Sequence, residues 1–175
     1  MSRKAVVSFI FICVLLTTQS SFSQQTKPLY FEVGASLNGG LYDLDPVLGF
    51  GAHFKLIRPF KKDNAFVGGF DLLLANDPET YGEGGIDNVF MLASLGYRKT
   101  IHSFYIEPKL GGGLYGDPRY YAPCVFLGIE PSFQKEQFSF AIDYRFISAD
   151  GIELGEHFHL VALKVGYRLG GNKRH

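Results

Sequence analysis

Phe138-Ser139-Phe140-Ala141-Ile142-Asp143-Tyr144-Arg145-Phe146 alternates without a break, with a large apolar side chain at each even position and a small or charged one at each odd position. Successive side chains of an extended strand point to opposite faces. The stretch therefore puts Phe138, Phe140, Ile142, Tyr144 and Phe146 on one face, and Ser139, Ala141, Asp143 and Arg145 on the other. A helix would scatter both sets around its circumference. The nine residues read as a strand with one greasy face and one face that mixes small side chains with an acid and a base.

The same period runs from Leu29 to Leu169. It predicts eight strands, near 29–40, 47–58, 65–76, 88–99, 103–115, 123–134, 137–147 and 157–169. Each spans 11–13 residues, close to what a tilted strand needs to cross hydrocarbon. One parity is bulky and apolar throughout, as in Leu48, Phe50, Ala52, Phe54 and Leu56 or Val161, Leu163, Val165 and Tyr167. The other parity is small or charged. Its charged members are Glu32, Lys55, Asp71, Arg98, Glu107, Lys109, Glu130, Asp143, Arg145, Lys164 and Arg168, and glycines such as Gly34, Gly51, Gly111 and Gly128 accompany them.

The connections alternate in length. Short turns are expected at 59–64, 100–102 and 135–136, and longer loops at 41–46, 77–87, 116–122 and 148–156. Short turns at one end and longer loops at the other are the habit of outer-membrane barrels, and an even strand number returns both termini to the turn side. Every strand also carries an aromatic of the apolar parity near its turn-side end: Phe31, Phe54, Phe66, Tyr97, Phe104, Phe133, Phe138 and Tyr167. A girdle at one membrane interface predicts that placement.

The N-terminus reads as a processing segment. Arg3 and Lys4 precede an apolar run, Ala5 to Leu16, that is too short to span a bilayer. Small residues Ser21 and Ser23 predict cleavage after Ser23, which gives a leader at 1–23 and a periplasmic segment at 24–28. The barrel would then occupy 29–169 and a periplasmic tail 170–175. Cys13 follows the bulky Ile12 inside the apolar run, so it reads as part of the discarded leader and not as a lipid attachment point. Cleavage removes two of the 17 basic residues and none of the 17 acidic ones, which leaves 15 against 17 over 152 residues. Nothing in that balance suggests nucleic acid. Only Cys124 remains, so no intramolecular disulfide can form.

A soluble lipocalin-like barrel would alternate too, with its apolar face turned inward. Volume argues against it: an eight-stranded barrel is barely wide enough for its own side chains, and the Phe-rich parity would overfill it. A chain without Trp also lacks a lipocalin's Gly-x-Trp signature. Lipid outside and charges inside is the expected arrangement.

The whole pattern over 29–169 resembles the small outer-membrane β-barrels of Gram-negative bacteria, of the outer membrane protein X and outer membrane protein A transmembrane-domain type. The final strand ends Val165-Gly166-Tyr167-Arg168-Leu169, which resembles the signal read by the barrel assembly machinery, although Gly170–His175 follow it. The resemblance implies an eight-stranded antiparallel up-and-down barrel in the outer membrane, termini in the periplasm, and contact with membrane lipid and lipopolysaccharide. Members of such families serve as anchors, adhesion or host-interaction proteins, narrow channels, or lipid-modifying enzymes.

No constellation points to a cofactor, a metal or a catalytic centre. The inward charges are expected to form a paired, packed network, because buried charges are costly unless paired; a narrow polar pore is the functional alternative. The loops are acidic, with Asp77, Glu79, Glu83, Asp87, Asp150 and Glu153, and they offer Tyr81, Tyr120 and Tyr121 as aromatic contacts. Carboxylates there could bind divalent cations that bridge to lipopolysaccharide phosphates. For an enzyme acting on lipid, His53, His102, His157 and His159 are the histidines to test, and Ser148 is the nearest nucleophile to His159. Gly111-Gly112-Gly113-Leu114-Tyr115-Gly116 matches G-x-G-x-x-G, but no helix follows it to cradle a phosphate. The expected function is a non-enzymatic structural or surface-interaction role. A small-solute channel, and behind it a lipid-modifying enzyme or a soluble binding barrel, are the alternatives.

Overall fold

The computed structural model describes residues 29–42, 45–76, 88–117, 120–149 and 156–170. They form β1 (Tyr30–Tyr42), β2 (Asp45–Lys61), β3 (Asn64–Asn76), β4 (Asn88–Ile101), β5 (Phe104–Asp117), β6 (Tyr120–Lys135), β7 (Phe138–Ala149) and β8 (Glu156–Leu169). Each strand pairs antiparallel with the next, and β8 pairs with β1 to close the barrel. Closure leaves no sheet edge and satisfies the backbone within the protein, as a strand structure in hydrocarbon must. The expected leader at 1–23, the segment at 24–28 and the tail residues 171–175 lie outside the described residues.

Three two-residue turns, at 62–63, 102–103 and 136–137, join β2 to β3, β4 to β5 and β6 to β7. His102 and Glu136 open the second and third of them with φ of 58° and 54°. That is the left-handed region, which non-glycine residues seldom enter and which tight hairpins need. Neighbouring hairpins are tied together: Thr100 N–H donates to the Asp63 carbonyl, Gln134 N–H to that of Ser103 and Arg168 N–H to that of Gln137, at 2.7–2.8 Å.

The strands are longer than the sequence pattern predicts, from 12 residues in β7 to 17 in β2. β1 and β2 pair as far as Tyr42↔Asp45, and β5 and β6 as far as Asp117↔Tyr120. The expected loops at 41–46 and 116–122 are therefore largely strand, and Tyr120 and Tyr121 lie on β6. Pro46, Asp117 and Pro123 give those stretches a loop-like composition, yet pairing continues past them. Of the four longer loops, 77–87 and 150–155 lie wholly between strand ends and outside the described residues.

The even positions of β7 face outward and the odd ones inward. The outer wall carries Leu37, Phe50, Phe70, Leu95, Leu110, Leu127, Ile142 and Leu163, all exposed; Leu127 keeps 65% of its surface open. The interior is layered. Ile57, Ala65 and Val67 pack with Tyr30 at the turn side. A charged layer follows. At the loop side Leu73, Phe90, Leu92, Phe126, Ile147, Phe158 and Leu160 form an apolar cap, with Tyr115 packed against it. The sequence reading placed only small and charged residues inside. It missed this cap because Leu73, Phe90, Leu92 and Phe126 sit where both parities are apolar, which hides the alternation.

Candidate functional site

The charged layer is the most concentrated chemistry in the barrel. Five acids (Glu32, Asp71, Glu107, Glu130, Asp143) and five bases (Lys55, Arg98, Lys109, Arg145, Lys164) are buried in it. All eight strands supply them, which is why they converge although they are distant in sequence. Glu130 on β6 is the hub. Its Oε1 accepts from Lys55, its Oε2 accepts from Lys109 Nζ at 2.8 Å, and Lys164 Nζ lies 3.7 Å away. On the turn side of this hub, Arg98 donates through Nε and Nη2 to Glu107 Oε2 at 2.9 and 2.8 Å. Glu32 completes that half, 3.8 Å from both Lys55 and Arg98. The other half is tighter. Arg145 Nη2 reaches Asp143 at 2.6 Å and Asp71 at 2.7 Å, and Lys164 Nζ reaches Asp71 at 2.6 Å and Asp143 at 2.8 Å. Lys109 joins the halves by contacting both Glu130 and Asp143 at 2.8 Å.

Burial of ten ionised groups is costly unless each charge is offset by close neighbours of opposite sign. Equal numbers and multiple contacts per group meet that requirement. Rings add to it: the Arg98 guanidinium lies 3.8 Å from the centroid of Tyr105, and that of Arg145 lies 5.1 Å from Phe126. Arg168, grouped with the network on sequence, stands at the turn-side margin. It caps the Tyr30 ring at 4.1 Å and donates to Gln134 Oε1 at 2.5 Å. Glycines make the room. A Cβ on Gly34 would run into the Val165 carbonyl and the His53 ring, and one on Gly111 would press on the Phe126 ring at 2.7 Å. The formal G-x-G-x-x-G match thus lies along β5, where its glycines admit neighbouring groups.

The eight turn-side aromatics are all exposed. They meet laterally around the rim: Phe31 with Phe54 at 5.7 Å between centroids, Phe104 with Phe133 at 5.1 Å, Phe138 with Tyr167 at 5.3 Å. Phe66 and Tyr97 are cross-strand partners. The hydroxyls of Tyr97 and Tyr167 donate to Asn64 and Gln137, at or beside the turns.

His53 is buried in the interior, and its Nε2 is 3.9 Å from Glu32. His102 sits in a turn. His157 and His159 are exposed on the loop-side outer wall of β8, where both rings contact Phe146 at 5.4 Å and His159 Nδ1 hydrogen-bonds the Tyr144 hydroxyl at 2.9 Å. Ser148, expected in a loop, is on β7 and in register with His157. The residue opposite His159 is Phe146, so β7 offers no serine at that position. Among the described residues no group of three or more His, Cys, Asp or Glu could hold a metal ion. The loop acids Asp77, Glu79, Glu83, Asp87, Asp150 and Glu153, with Tyr81, lie outside the described residues.

An eight-stranded closed barrel with an apolar outer wall, an aromatic rim and its ions sequestered within is a transmembrane β-barrel of the outer-membrane type. No family model and no curated protein sequence matches this chain. Solved structures do. Neisserial surface protein A superposes with a TM-score of 0.58 at 14% identity, covering 83% of this chain and 99% of that one. Ail, the attachment invasion locus protein of Yersinia pestis, gives 0.52 at 15% identity over 83% of this chain and 100% of its own. A complex of Ail with the heparin analogue sucrose octasulfate gives 0.50 at 14% identity, over 81% and 97%. At these identities the likeness is one of fold.

Proposed function

We propose that this chain is a non-enzymatic protein of the bacterial outer membrane, a sealed barrel that anchors and displays its loop-side surface. Both termini would lie in the periplasm and the loops 77–87 and 150–155 outside the cell. The observation that carries the reading is the filled interior. A balanced ionic layer lies beneath an apolar cap of Leu73, Phe90, Leu92, Phe126, Phe158 and Leu160. A solute pathway would have to break multiply shared ion pairs and then wet that cap. Among the described residues, these two layers count against the narrow-channel alternative. Partner contact then falls to the loops, which can vary on a rigid barrel. Their excess of carboxylates favours cationic partners, or divalent cations bridging to lipopolysaccharide phosphates. The enzyme alternative is disfavoured because His159 is engaged by Tyr144 and faces Phe146 across the ladder. Passage through the barrel assembly machinery is inferred from the β8 terminus alone.

Planar-bilayer recording of the purified protein tests the central point. No steady conductance is expected. A reproducible ohmic current that persists in pure preparations would replace the sealed scaffold with a channel.

A further inference from the structure

The turn-side end of β2 builds a surface that barrel closure does not require. Between Pro59 and Lys61 the β2–β3 register shifts by a bulge, and both Phe60 and Lys61 are exposed there. Such an irregularity re-aims side chains at a sheet's rim. Phe60 stacks on Phe66 of β3, with centroids 4.6 Å apart and planes at 23°, and lies 6.2 Å from Tyr97 of β4. Lys61, Asn64 and Lys99 stand abreast on the three strands, two ladder positions nearer the turns than the pair Phe66–Tyr97. The Tyr97 hydroxyl donates to Asn64 at 2.7 Å, so its polar tip marks the level where the apolar rings give way to the lysines. Lys62 follows in the turn, and Lys61, Lys62 and Lys99 are all exposed. The acid within this turn is Asp63. The β6–β7 turn differs, since Lys135 is followed directly by Glu136 and its charge is balanced.

We propose that this arc of β2, β3 and β4 binds the phosphate headgroup of an anionic glycerophospholipid. Lys61, Lys62 and Lys99 hold the phosphate oxygens, while Phe60, Phe66 and Tyr97 lie along the glycerol and the first acyl carbons. Lysines at the membrane surface attract anionic lipid, and aromatic rings settle at the headgroup boundary. A zwitterionic headgroup brings its own ammonium and leaves the local positive excess unmet. The inference goes beyond the proposed function, although it rests on residence in a bilayer.

The test is spin-labelled phosphatidylglycerol against spin-labelled phosphatidylcholine, with the full processed chain reconstituted in phosphatidylcholine bilayers. Wild type should prefer phosphatidylglycerol by at least about fivefold, the factor a single lysine near the surface supplies. The preference should fall towards one in K61Q/K62Q/K99Q, survive in K135Q, and weaken with added salt. The three lysines are exposed, and an unchanged circular dichroism spectrum verifies that the variants fold. Equal association of both lipids with wild type, selectivity that survives the triple substitution, or equal loss in K135Q would each overturn the proposal. A chain that inserts but shows no selectivity refutes this site alone, whereas a chain that never enters the bilayer refutes the proposed function as well.

Discussion

Glu130 shows what a single residue contributes here. It is fully buried and shared by Lys55 and Lys109, with Lys164 close by. Glu130→Ala takes one partner from each of those cations and leaves the buried layer with an excess positive charge, so a loss of about 3–5 kcal/mol is expected from urea unfolding in phospholipid vesicles followed by circular dichroism. A loss below the precision of the titration would mean that the layer is hydrated and loosely coupled. Gly111→Leu tests the opposite kind of constraint, absence of volume. The new side chain would drive into the Phe126 ring and the Ala93 carbonyl, and overpacking of this kind costs about 1–3 kcal/mol by the same assay. Which charged residues turn inward was legible, because alternation assigns the face of Glu130 or Lys164 directly. Which residues pair was not. Lys164 meets Asp71 from 93 positions away, a contact fixed by barrel closure and register that no local spacing records.

At the level of the strand, face and depth decide tolerance. Leu127 is directed outward near the middle of β6, flanked in register by Leu110 and Phe146. Leu127→Arg should destabilise the inserted barrel by about 2–4 kcal/mol, as charge at a bilayer midplane does, while Lys135→Arg at the strand's end should change little. Equal effects at the two positions would argue that no hydrocarbon contacts β6. The hairpins have their own constraint. His102 holds φ at 58°, so His102→Gly should leave stability unchanged or raised, whereas His102→Val should cost about 1–2 kcal/mol because a β-branched residue resists the left-handed region. The strand ends were the least legible elements. Pro59 suggested a turn, yet β2 continues through it by means of a bulge. That misreading concealed Phe60 and with it the stacked rings at the rim.

Across the whole molecule the outside and inside have exchanged their usual contents. Exposed Leu, Phe, Ile and Val form the wall, while Lys, Arg, Asp and Glu fill much of the centre. In water this would leave a large apolar surface uncovered, and in a bilayer it is the natural solution. Strand number, parity and the aromatic rim were visible in the sequence because each repeats eight times. The apolar cap at the loop side was not, since its residues lie where the period fades. The claim that everything rests on is that lipid contacts the Phe- and Leu-rich face. In a Cys124→Ala background, spin labels placed one at a time at Phe50, Leu72, Leu95, Leu110, Leu127, Ile142 and Leu163 in reconstituted protein measure collision with oxygen, which partitions into hydrocarbon, and with a polar nickel chelate, which does not. High oxygen accessibility with low chelate accessibility at all seven positions is the predicted result. Labels that collide with the chelate, or that are immobile and shielded from both reagents, would contradict it.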